Sequence, residues 1–155
     1  MDAITAVIAV AGTLAGGVLS HLLQSRATAA ANRETRDERR REERLEACVR
    51  YAAAVYDCRR MMSYRWYRSN GRGGSEDPSE VSSQAFDVRT TMMERLTRVQ
   101  LLVDDDELRA AADAAAEAVA ELYEKDTPAE EFRAARDRSL RAHDRFVRAA
   151  ASHLR

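Results

Sequence analysis

The polarity of the chain changes character twice. Residues 4–23 are apolar with scattered Thr, Ser and Gly, and no Lys, Arg, Asp or Glu stands between Asp2 and Arg26. Residues 26–44 are polar or alanine, without an apolar stripe. From Leu45 onward apolar residues return in steps of three and four, the repeat of one face of an α-helix. Leu45, Cys48, Ala52, Val55 and Met62 make the first stripe, with Val49, Tyr56 and Trp66 beside it, and predict a helix to about Arg68. The Gly, Ser, Asn and Pro content of residues 69–81 then marks a loop.

Three more stripes follow. Ala85, Val88, Met92, Leu96, Val99 and Val103 form one. Leu108, Ala111, Ala112, Ala115, Val119 and Leu122 form the next, with Asp104 as the expected cap and Glu107 at capping-box spacing. Thr127-Pro128-Ala129-Glu130 reads as a capping Thr, a Pro at the first helical position and an acid at the third. It opens a helix carrying Phe132, Ala135, Ala142, Phe146 and Ala149, with Leu140, Val147 and Leu154 as neighbours. The expected fold is all-α: an N-terminal transmembrane helix continuing as a long helix into an antiparallel bundle of about four helices. The expected divisions are an anchor over 1–25, a charged helical stalk over 26–44 and a bundle over 45–155.

Twenty residues, 4–23, span roughly 30 Å as a helix, the depth of a bilayer's hydrocarbon core. A buried core helix is the alternative reading of that run. Cleavage as a secretory signal is not expected: only Asp2 is charged before the run, and the small residues Ala27, Ala29 and Ala31 come after Arg26. Arg26, Arg33, Arg36 and Arg39 to Arg41 follow it, so the positive-inside rule puts the N terminus outside and the bulk of the chain in the cytoplasm. Arg26 and Arg33 are the expected headgroup contacts. Gly12, Gly16 and Ser20 recur every four residues with Gly17 alongside, a small-residue stripe that lets two helices approach closely and predicts a homo-oligomer. In the stalk, pairs such as Asp37 with Arg41 and Arg39 with Glu43 support a helix exposed to solvent.

Composition narrows the class further. The 155 residues are 45% hydrophobic and 33% charged, with 6% aromatic residues and two Pro. Breakers are too few for a sandwich, barrel or doubly wound sheet. The net charge of −1 is a cancellation: residues 24–68 hold 12 arginines against 7 acids, whereas residues 69–155 hold 13 basic residues against 18 acids. The near-neutral sum disfavours bulk nucleic-acid affinity, although it conceals this asymmetry.

Chemical motifs are missing. There is no GxSxG, GxGxxG or GxxxxGK[ST], and no CxxC, HxxxH or HExxH. Cys48 and Cys58 stand ten residues apart on one predicted helix, about 15 Å by helix rise, beyond the roughly 7 Å that a disulfide spans. His21, His143 and His153 read as ordinary polar histidines. No enzymatic activity, cofactor or metal is expected. One stretch is unusual, placing Arg59, Arg60, Arg65 and Arg68 among Tyr64, Trp66 and Tyr67. It has three readings: Trp66 and Met62 completing the end of the bundle under arginine stems, a protein-interface hot spot, or a surface for single-stranded nucleic acid.

The runs IAVAGTLAGGVLSHLLQSR (residues 8–26), RREERLEACVRYAAAVYDCRR (40–60) and RVQLLVDDDELRAAADAA (98–115) together resemble the KilB-like group of small actinobacterial proteins. In that group an apolar N-terminal helix with a GTLxG-like element precedes an arginine-rich helical region. The resemblance implies a small membrane-associated protein linked to the spread of conjugative elements, and supplies no catalytic residue. The functional expectation is an oligomeric membrane-anchored adaptor that recruits an unidentified cytoplasmic protein. Two alternatives stand beside it: a membrane-perturbing toxin or defence effector acting through assembly of residues 4–23, and a nucleic-acid adaptor using residues 59–72.

Overall fold

The computed structural model describes residues 35–71, 77–124 and 126–153 in full, and residues 2–34 only as backbone within the first helix. Four helices follow in order: α1 (Asp2–Ser69), α2 (Pro78–Leu102), α3 (Asp106–Ala120) and α4 (Ala129–His153). No strand occurs among the described residues. The chain separates into two units, Met1–Arg40 and Arg41–Arg155. Among the described residues no helix is long and apolar enough to cross a membrane. The expected transmembrane helix, residues 4–23, lies outside them, as do Gly12, Gly16, Gly17, Ser20, Arg26 and Arg33.

In the second unit the helices alternate in direction. Arg98 of α2 reaches Glu46 at 3.6 Å, while Arg68 and Ser69 at the far end of α1 lie beside Pro78 and Val81. Gln100 of α2 donates to Asp113 of α3 at 2.8 Å, and Arg138 of α4 donates through Nε to Glu121 at 2.9 Å. Tyr51 of α1 meets Phe146 of α4, whereas Trp66 meets Phe132, so α1 and α4 are also antiparallel. The bundle is up-down-up-down.

One core joins all four helices. It contains Cys48, Tyr51, Val55, Cys58, Met62 and Trp66 from α1, then Ala85, Met92, Leu96 and Val99 from α2. From α3 come Leu108, Ala112, Ala115 and Val119, and from α4 Phe132, Ala135, Ala142 and Phe146. The alanines of α3 let it approach closely enough for the Tyr51 hydroxyl to donate to the Ala112 carbonyl at 2.7 Å. A buried phenol placed so has no water to return to, and the bond satisfies it.

The structure revises the α1 stripe. Leu45, Val49 and Tyr56 are 48%, 59% and 52% exposed, and Tyr51 is fully buried in their stead. Apolar residues extend round more than one stripe of this helix, and its neighbours cover only one side of them. Helix starts also shift. The cap of α3 is Asp105, whose carboxylate accepts from the Leu108 amide at 2.7 Å, while the expected cap Asp104 stands 3.8 Å from Arg44. Helix α4 begins at Ala129, with the Pro128 carbonyl accepting from the Phe132 amide. The Thr127 hydroxyl, expected to cap, donates instead to the Glu124 carbonyl at 3.4 Å. Helix α2 starts earlier than the loop 69–81 implied, because Asp77 caps it and Pro78 takes the first helical position. The Asp77 carboxyl is held below its ordinary range, first by the Ser79 backbone amide and then by the Ser79 side chain. Gly71, at φ +73°, turns the chain out of α1.

Candidate interaction surface

The arginine and aromatic stretch of α1 is the first candidate, and its rings are used inside the bundle. Trp66 is 4% exposed. Its indole lies parallel to the Phe132 ring at 4.2 Å and 5°, and its Nε1 donates to the Thr127 carbonyl at 2.9 Å. Tyr67 meets both rings edge-on. Arg65 donates to the Tyr123 carbonyl. The face that Trp66 would offer a base or a hot-spot pocket is covered by Phe132. The first of the three readings, with Trp66 and Met62 closing the end of the bundle, describes the geometry. Arg60 is exposed, while Tyr64, Arg65, Tyr67 and Arg68 are half-buried.

Arg59 departs from its neighbours. It is only 7% exposed, and its Nη1 is buried without a hydrogen-bond partner among the described residues. The guanidinium lies over the Tyr56 ring at 5.3 Å. Desolvation lowers its pKa, and the charge of Arg136 on α4 lowers it further, while Tyr56 and Asp144 act the opposite way. A buried cation with an idle donor is costly unless a carboxylate completes it.

Along the same α1/α4 seam, toward Leu45, lies an apolar groove of about 340 Å³. Leu45, Cys48, Val49 and Ala52 line one wall, and Phe146, Val147, Ala150 and Ala151 line the other. Val147 is 42% exposed. Outside the edge-on Tyr51–Phe146 pair the groove is bordered mainly by small residues, Val49, Ala52, Val147, Ala150 and Ala151, whereas Trp66 and Phe132 stack across the opposite end of the seam. Between the two, His143 Nε2 sits 3.1 Å from the Ala52 carbonyl. Helical periodicity assigned Leu45 and Val49 to the core, so this surface was missed. The sequence signal for it was the excess of apolar positions on α1 over what one stripe requires.

The thiols are free and buried. Burial raises the Cys48 pKa and pushes Cys58 up to about 11. Cys58 lies 4.0 Å from the Tyr123 hydroxyl, whose own pKa is raised chiefly by burial. No group of three or more His, Cys, Asp or Glu that could hold a metal occurs among the described residues.

What the geometry defines is a helical bundle with an apolar groove between α1 and α4 and, further along α1, a buried arginine with one unsatisfied donor. The chain belongs to the KilB plasmid transfer protein family, whose match spans residues 45–154, the whole bundle region. It is 38% identical over 102 residues to Protein KilB of Streptomyces lividans, a match covering 64% of this chain and 65% of that protein, just under two thirds of the relative's length. No solved structure matches.

Proposed function

We propose that this protein is a non-enzymatic, membrane-anchored helical adaptor that self-associates and serves the spread of a conjugative plasmid or mobile element. Membership across residues 45–154 of a family described as plasmid transfer proteins is the observation that carries this reading, beside the 38% identity to Protein KilB of Streptomyces lividans. The charge-free run between Asp2 and Arg26 supports the anchor. The arginines that follow favour a cytoplasmic bundle, and Gly12, Gly16 and Ser20 supply a face for parallel packing of anchors. An adaptor needs no catalytic constellation; it needs a surface, and the groove between α1 and α4 is the one best suited to a helical protein partner.

Fractionation of cells expressing the full chain, beside a chain lacking residues 2–25, tests the anchor. The full chain is expected in the membrane fraction and the shortened one outside it. Plasmid spread between cells carrying either form tests the process, with spread expected only with the full chain. Equal spread with both would remove the anchor from the function. Growth arrest that depends on residues 4–23 would replace the adaptor with a membrane-perturbing effector.

A further inference from the structure

Arg59 continues the helical stripe of α1 that lines the α1/α4 groove with Leu45, Val49 and Ala52, and the spacing of that stripe says what covers it. Glu42, Leu45, Val49, Ala52, Tyr56 and Arg59 follow one another at steps of three, four, three, four and three, the alternation of a coiled-coil seam. An ordinary seam turns inward. This one turns outward over its apolar centre: Leu45, Val49 and Tyr56 are each about half exposed or more.

The charges at the two ends of the seam are opposite, Glu42 at one and Arg59 at the other. A helix laid against it in antiparallel register pairs the first position with the last. If that helix is the same segment of a second copy, Glu42 falls opposite Arg59, Leu45 opposite Tyr56 and Val49 opposite Ala52, and the two-fold axis repeats each layer. Four apolar layers are then closed at both ends by an acid and an arginine. A parallel pair would oppose Glu42 to Glu42 and Arg59 to Arg59, which like-charge repulsion disfavours.

We infer that residues 42–59 of α1 form a self-complementary antiparallel interface with a second copy of this chain, in which Glu42 of each copy faces Arg59 of the other, whose Nη1 has no hydrogen-bond partner among the described residues of its own chain. Val147 and Ala151 of α4 form the outer wall against which the incoming helix rests. The inference rests on the second unit alone and not on the anchor. The contact differs in direction from the parallel packing of the glycine stripe.

Disulfide trapping in the full-length protein tests it, with two differently tagged chains, Leu45→Cys and Tyr56→Cys, produced together and oxidised in isolated membranes or cell extract. The unsubstituted chain controls for Cys48 and Cys58. The mixed pair is expected to crosslink, and neither substituted chain to crosslink with itself. Self-crosslinking of Leu45→Cys, which marks a parallel pair, or no crosslinking at all, overturns the interface. Glu42→Arg is expected to lower the mixed-pair yield by about tenfold, and combining it with Arg59→Glu to restore most of it. A double substitution no better than the single one overturns the ion pair and, with it, the register. Arg59→Glu alone can unfold the bundle, so the crosslink, which leaves Arg59 intact, decides independently. The same trapping in a Gly12→Leu/Gly16→Leu background separates this interface from the anchor contact. The crosslink is expected to persist there, and its disappearance overturns a contact carried by the bundle.

Discussion

Helices α1 and α4 meet along one seam whose two ends have opposite fates. At the far end, Trp66 and Phe132 stack at 4.2 Å and the indole nitrogen is satisfied by the Thr127 carbonyl. At the near end, Val49 and Val147 stand apart across a groove of about 340 Å³. Rings occur at both ends, since Tyr51 meets Phe146 edge-on beside the groove; what differs is the layer outside them, which is Val and Ala at the groove. Large rings close a gap between helices and become core, whereas Ala and Val leave it open and become surface. The difference teaches that Trp66, which composition singles out as binding material, is held inside the bundle, while Leu45, Val49 and Val147 of the apolar stripes border an open groove.

The sharpest way to break this comparison is to truncate both ends. Trp66→Ala is expected to destabilise the bundle by about 3–5 kcal/mol, the usual result of emptying a large aromatic site, read as a lower urea midpoint at unchanged slope. A loss below about 1 kcal/mol would mean that the ring is not core. Tyr51→Phe keeps the edge-on contact with Phe146 but leaves the Ala112 carbonyl without its donor, and a loss of about 1–2 kcal/mol is expected from the same titration.

The thiols sharpen the contrast, since Cys48 lines the groove and Cys58 lies deep in the core. Cys58 is raised from 9.0 to about 11 by burial. The unfolded chain therefore ionises first, and the contribution of the protonated thiol is complete below pH 9 and fades as pH rises toward 11. Stability should fall across that window, and Cys58→Ala should flatten the fall. Urea midpoints from pH 7 to 11 measure both, and an equally steep profile in the variant would assign the fall to other groups, Tyr51 and Tyr123 first. The smallest expected effect on stability is at the groove: Val49→Ser should change it by no more than about 0.5 kcal/mol, while weakening self-association of the full chain in a pull-down between tagged copies. A large loss of stability there would make the groove part of the core after all.

Much of the helical order was legible along the chain. The buried sets of α2, α3 and α4 follow the periodicity closely, although Phe86, Met93 and Leu101 of α2 and Val147 of α4 stand exposed outside the buried face. Leu96 and Val99, Leu108 and Val119, Phe132 and Phe146 all lie where a repeat of 3.6 residues puts them. The loop was legible too, although its end was not: Asp77-Pro78 is a start signal that the preceding glycines overshadow. The cap of α3 drifted by one residue to Asp105 because three aspartates stand in a row and backbone geometry chooses among them. Membership of the family was foreshadowed by the run 98–115 and most of 40–60, which lie within the match over residues 45–154, while the run 8–26 lies outside it.

The surface was less legible, for a reason that α1 makes plain. Leu45, Cys48, Val49, Tyr51, Ala52, Val55 and Tyr56 occupy too wide an arc for one core to cover. Periodicity alone establishes that such a segment is helical and that some of the arc is buried, because these are properties of the repeat. Which side is buried depends on where α3 and α4 come to rest, and that is decided by the alanines of α3 and the rings of Phe132 and Phe146 rather than by α1. The chain's own order of residues thus determined the elements, their number and their apolar arcs. Only the tertiary structure turned Tyr51 inward, left Leu45 and Val49 outward, and buried Arg59 with its Nη1 unsatisfied, since each outcome reflects volumes and charges brought together from distant parts of the chain.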